Sequence, residues 1–175
     1  MKIYKETRNM IGQEFGGNRF FDYTKFGILG HDGTDFGCPT GTPIYFGGEK
    51  GMVYETKWGS GGGNILHIIE ERDGKTYKHQ YGHLKKFLCS IGDEITRGDV
   101  IALSDNTGSN TTGPHLHRGL YEVEETRNAY QIKNYDNGYL GAIPIEWDIF
   151  VLDTLDRSAL IKQVLKTFIK TLRFK

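Results

Sequence analysis

Only two cysteines, Cys38 and Cys89, occur in the 175 residues, too few for the disulfide framework of a small secreted scaffold. Both read as small buried apolar side chains rather than as metal ligands. Neither sign of charge is in excess. Lys and Arg total 22, and so do Asp and Glu, so no net field draws the chain to nucleic acid or to a membrane surface. No apolar run is long enough to cross a bilayer as a helix, so no transmembrane segment is expected. The opening residues Met1 to Glu6 carry positive charge with no apolar stretch behind it, which does not read as a secretory signal.

Glycine and aromatic residues are abundant instead. With 24 glycines and 13% aromatics, the chain reads as many short strands joined by tight turns, a mainly β fold. Expected strands cover 43–46, 50–58, 64–71, 76–84, 94–103 and 115–124, separated by glycine- and aspartate-rich turns. Three regions follow. Residues 1–25 form a polar N-terminal segment, expected to fold over one side of the core or to line a groove. Residues 26–150 form the main domain. Over residues 151–175 the period changes: Leu160, Ile161, Val164, Leu165, Phe168, Ile169 and Leu172 recur at helical spacing, which predicts a C-terminal amphipathic helix. Its apolar stripe would dock on the core or on a second copy, or bind an anionic wall or membrane.

Chemistry concentrates in Gly30-His31-Asp32-Gly33-Thr34-Asp35-Phe36 and Gly113-Pro114-His115-Leu116-His117, with Tyr81-Gly82-His83-Leu84 between them. The first stretch is His-x-x-x-Asp and the second His-x-His. Both offer the imidazole and carboxylate donors that zinc prefers, and a catalytic zinc site needs three protein ligands with one position open to water. Side chains alternate along a strand, so His115 and His117 share a face. His31 and Asp35 are placed on a strand–turn segment, because Gly30, Gly33 and Gly37 disfavour a helix. Asp32 reads as a solvent-facing turn residue. His67 reads as a core or edge-strand histidine. His79 shares strand parity with Tyr81 and His83 and reads as structural or exposed.

Taken in order, GHDGTDFG, CPTGTPIYF, GGGNILHI, YGHL, IGDEITRGDVIALSDNTG and TGPHLH resemble the lysostaphin-type zinc metalloendopeptidases, peptidase family M twenty-three. The resemblance runs from about Phe26 to Tyr121. It implies a compact antiparallel β-sandwich or barrel of the duplicated hybrid motif type, and hydrolysis of peptide bonds in bacterial peptidoglycan, in the stem peptide or cross-bridge. It implies one zinc ion per chain held by His31, Asp35 and His117, with His83 and His115 as the catalytic pair. The loop from Asn106 to Gly113 then borders the cleft, so Asn106 and Gly108 are expected to contact substrate. Arg118 departs from the family pattern, which more often has an aromatic or aliphatic residue there. By alternation it faces away from the zinc. A wall-degrading enzyme with no export signal points to a phage lysin or virion component, or to a sequence whose leader is missing. Two other readings are an inactive relative that only binds the wall and a histidine phosphoryl carrier of related architecture. The complete set of five site residues disfavours the first, and Asp35 disfavours the second.

Overall fold

The computed structural model describes residues 11–127 and 129–145. Ten strands form one antiparallel sheet: β1 (Ile11–Gln13), β2 (Thr34–Gly37), β3 (Pro43–Tyr45), β4 (Lys50–Gly59), β5 (Gly63–Arg72), β6 (Lys75–Phe87), β7 (Glu94–Thr96), β8 (Val100–Ser104), β9 (His115–Glu125) and β10 (Tyr130–Ile132). Their main path runs β1-β2-β9-β6-β5-β4-β7. β10 adds to β9, and β8 joins β3 to the far end of β6. The expected barrel is not closed, because the path ends in two three-residue strands, β1 and β7, that do not pair with each other. Among the described residues there is no α-helix, only a 3-10 turn at Tyr23–Phe26. The helix expected over 160–172 lies outside the described residues.

The single strand expected over 94–103 is two. Gly98 adopts φ 87°, a left-handed conformation that glycine takes without a Cβ penalty. Asp99 Oδ2 accepts from Thr96 N at 2.9 Å, closing the turn. β7 can therefore pair with β4 while β8 pairs with β3 and β6.

The sheet buries one face. Phe36, Ile44, Phe46, Val53, Leu66, Ile68, Tyr81, Ile101 and Leu116 form a continuous core, drawn from seven strands. Cys38 and Cys89 belong to it as buried thiols. The alternation that sends Leu116 and Leu120 inward also carries Arg118 inward, and it is only 2% exposed. A buried guanidinium needs counter-charge and acceptors. Its Nη2 donates to His79 Nδ1 at 2.5 Å, and Nη1 donates to the Gly119 carbonyl at 2.6 Å. His79 Nε2 in turn donates to Glu70 Oε2 at 2.7 Å, and the guanidinium stacks over the Tyr81 ring at 4.3 Å. The departure at position 118 is thus absorbed by a neutral histidine wired between a buried arginine and a buried glutamate.

Burial, with the Arg118 charge beside it, pushes the His79 pKa down to about 4. The unfolded chain therefore binds one more proton than the fold between about pH 6.5 and 4. Stability present above pH 6.5 is lost as pH falls through that window. His79 alone accounts for a loss of about 2 kcal/mol between pH 7 and pH 5. Urea midpoints at the two pH values should show a smaller decrease in His79→Gln than in the wild type. Equal decreases would remove His79 from the account.

Candidate metal centre and its groove

Register assembles the centre. Asp35 of β2 lies directly across from His117 of β9, so both side chains leave the same, outer face of the sheet. His31 precedes β2 in a loop fastened to Gly16 and Gly17: His31 N donates to the Gly17 carbonyl at 2.9 Å, and Gly16 N to the His31 carbonyl at 2.8 Å. The result is a near-equilateral triangle of donor atoms. His31 Nε2 and His117 Nδ1 are 3.1 Å apart, and Asp35 Oδ1 lies 3.2 Å from the first and 3.1 Å from the second. Zinc bonds of 2.0–2.2 Å at tetrahedral angles span edges of about 3.3–3.6 Å.

The tautomers suit this use. His31 Nδ1 faces the Glu14 carbonyl at 3.3 Å, so the proton sits there and Nε2 keeps its lone pair toward the triangle. Burial would raise the Asp35 pKa, but protons that His117 and His31 share with it outweigh burial and hold the carboxyl well below the ordinary range, and metal binding would release those protons. The third donor is thus an anion. Asp32, expected to face solvent, instead lines the groove. Its carboxylate is within 4.8 Å of the His31 and His117 nitrogens but meets His117 on the other edge of the ring, Nε2, at 4.0 Å. Asp35 is the better third ligand on distance. Gly33 makes room for the ring. A Cβ there would come within 2.6 Å of His117 Cε1 and 2.8 Å of the Arg118 carbonyl, so any side chain would displace the ligand.

His83 and His115 stand together beside the triangle, ring centroids 4.4 Å apart. Each has Nδ1 tied to a backbone carbonyl: His83 to Thr107 at 2.7 Å, His115 to Gly113 at 2.8 Å. Each therefore keeps Nε2 for the groove. His115 Nε2 is 3.6 Å from Asp35 Oδ1. Burial, partly opposed by the Thr107 bond, pushes the His83 pKa down to about 4, so it is neutral at pH 7. Simple alternation would have put His83 on the core face with His79 and Tyr81. A bulge near Asn64–Leu66 gives β6 one extra residue, and His83 itself has φ 58°. Together these turn its ring outward.

A groove of about 400 Å³ runs over this centre. Phe20, Phe21, Tyr23, Phe26 and Ile28 form one wall, and Gly61, Gly62 and Asn110 to Pro114 form the other. Phe20, Phe21 and Tyr23 of this wall belong to the N-terminal segment, whose aromatic cluster is plain in the sequence although no residue role is. Tyr23 is the informative member. Its oxygen accepts from Gln13 Nε2 at 2.7 Å, and its ring is 5.8 Å from His31. Burial pushes its pKa up to about 12, so it keeps a proton to donate. Asn106 and Gly108, expected against substrate, are not among the lining residues. Gly108, at φ 92°, is wedged against the Gly61 carbonyl and Gly63 N, and Asn106 Oδ1 accepts from Thr111 Oγ1. Gly108 packs one loop of that wall against the other, and Asn106 braces its own loop. His67 bridges Glu55 at 2.8 Å and Gln80 at 2.9 Å, away from the centre.

Residues 29–130 match the sequence profile described as Peptidase family M23. A peptidoglycan DD-endopeptidase of Vibrio cholerae, ShyA, is 42% identical over 110 residues, which is 63% of this chain and 24% of that protein. Lysostaphin of Staphylococcus simulans is 39% identical over 88 residues, 50% of this chain and 17% of that one. A crystal structure titled as a zinc containing peptidase from Vibrio cholerae superposes with a TM-score of 0.57 at 31% identity, covering 75% of this chain and 37% of that one. The matched segment is at most about a third of the length of these curated relatives. With a single profile spanning the loop that carries His31 and the strands that carry Asp35, His83, His115 and His117, the chain belongs to Peptidase family M23.

Proposed function

We propose that the protein is a zinc-dependent endopeptidase that hydrolyses peptide bonds of bacterial peptidoglycan, acting at the cell wall with one zinc ion per chain. The observation that carries this reading is the triangle of His31 Nε2, Asp35 Oδ1 and His117 Nδ1, with sides of 3.1–3.2 Å, on the floor of an open groove. Two nitrogen donors and one carboxylate are a ligand set of the catalytic zinc type. The wall substrate is supported by the peptidoglycan DD-endopeptidases among the relatives.

Bound zinc supplies Lewis-acid polarisation of the scissile carbonyl and makes water acidic near neutral pH. His115, adjacent to Asp35 Oδ1, accepts a proton from the attacking water at Nε2 and returns it to the leaving nitrogen as the carbon–nitrogen bond breaks. His83, neutral and anchored on Thr107, presents a second acceptor that orients the water. Tyr23 donates its hydroxyl proton toward the oxygen that gains charge. The aromatic wall and the opposing glycine–threonine wall hold an extended peptide between them.

Purified protein is expected to contain about one zinc per chain and to release new amino termini from purified peptidoglycan. A chelator should stop the release and added zinc restore it. Undiminished cleavage by metal-free protein, or none by zinc-loaded protein, would overturn the reading.

A further inference from the structure

We propose that Gln13 is a positioning residue that leaves the Tyr23 hydroxyl free to donate its proton into the groove, a role that rests on the proposed endopeptidase activity. Gln13 ends β1 and lies across from Asp35 in the β1–β2 pairing. It is only 4% exposed. Its Nε2 donates to the Gly17 carbonyl at 3.0 Å and to the Tyr23 oxygen at 2.7 Å. The first bond fixes the direction of the second. A carbonyl can only accept, so the end of the amide that meets Gly17 is the NH2 end, and a flipped amide would set two carbonyl oxygens against each other. The same NH2 group meets Tyr23, so the phenol oxygen accepts there. The hydroxyl still carries one proton, and among the described residues it donates that proton to no side chain or carbonyl. The proton is left for the groove, which Tyr23 lines.

Two further observations support the assignment. Gln13 Oε1 is buried and has no hydrogen-bond partner among the described residues. An unpaired buried acceptor is costly, and turning the amide to relieve it would break both donor bonds. The orphaned oxygen is the consequence of holding the NH2 end toward Gly17 and Tyr23. The anchor is also shared. The Gly17 carbonyl accepts from His31 N at 2.9 Å as well as from Gln13, so one carbonyl fastens the loop that carries His31 and orients the amide that steers Tyr23. With its ring 5.8 Å from that of His31, Tyr23 is held at a set place beside the triangle, as a preorganised donor to a developing oxyanion requires.

The test is a double-mutant cycle on cleavage of a soluble peptide, paired with carbon-13 NMR of the Tyr23 ring carbon that bears the hydroxyl, read in metal-free protein. Tyr23→Phe removes the proton and should lower kcat by roughly a hundredfold. Gln13→Met keeps the volume and removes the donor. It should lower kcat by roughly tenfold with KM and zinc content near wild type. Added to Tyr23→Phe, it should cost less than about twofold more. Gln13→Glu keeps the shape but accepts where Gln13 donates, so it should lower kcat at least as far. Both Gln13 variants should shift the Tyr23 ring carbon. Equal fold losses from Gln13→Met in the wild-type and Tyr23→Phe backgrounds would overturn the proposal, since they would assign Gln13 to the fold alone. So would an unshifted ring carbon, or wild-type kcat in Gln13→Glu. If the wild type cleaves no peptide, the endopeptidase reading fails, while the ring carbon still decides whether Gln13 steers Tyr23.

Discussion

Replacing His117 with alanine is expected to give a folded protein that holds almost no zinc. The triangle has three protein donors, and two of its three sides end on His117 Nδ1. Removing it leaves one imidazole and one carboxylate, a set that competes poorly with water and buffer for the ion. His31→Ala and Asp35→Ala remove the other corners and should do the same. Zinc content should fall from about one per chain to below about 0.1 after desalting, and peptide cleavage should fall to background. The fold should survive, because the core cluster includes none of the three residues. A His117→Ala protein with wild-type zinc content would move the metal site elsewhere.

The second large effect separates chemistry from metal. His83→Ala and His115→Ala are expected to keep zinc near one per chain while turnover falls by roughly a hundredfold or more. Neither ring supplies a corner of the triangle, and both anchor Nδ1 on a backbone carbonyl and face the groove with Nε2. His115 approaches Asp35 Oδ1 to 3.6 Å, so His115→Ala should be the more damaging to proton transfer. The measurement is zinc content beside cleavage of a soluble peptide for each variant. If His115→Ala loses the metal while His117→Ala keeps it, the two roles are exchanged. Loss of zinc from all four histidine variants would point to a site with more ligands than three.

Much of the architecture was legible. Runs such as Ile65 to Ile69 and Val100 to Leu103, bounded by glycine turns, announced strands, since side-chain alternation and turn chemistry are local properties. The short strands β1 and β10 were not among those expected, and β2 was expected only as the strand–turn segment of His31 and Asp35. Three or four residues carry too little pattern, and these segments are strands because β9 and β2 offer them edges. Closure was over-read for the same reason, because whether the two ends of a sheet meet is not written in any window of sequence. Glycine roles were equally hidden. Gly108 looked like a residue that admits substrate, and it is a wedge between two loops.

By itself the sequence determined the ligand chemistry: which imidazoles and carboxylates exist, that His115 and His117 share a strand face, and that the chain resembles zinc endopeptidases. It could not choose among them by geometry. Tertiary structure decided that Asp35 pairs across the sheet with His117, that His83 turns outward at a bulge while His79 stays in the core, and that Asp32 lines the groove instead of facing solvent. The physical reason is distance along the chain. His31 and His117 are 86 residues apart, and only strand register and loop fastening bring their nitrogens to 3.1 Å. Residue type sets what a site can bind, and the pairing of distant backbone sets whether its atoms meet.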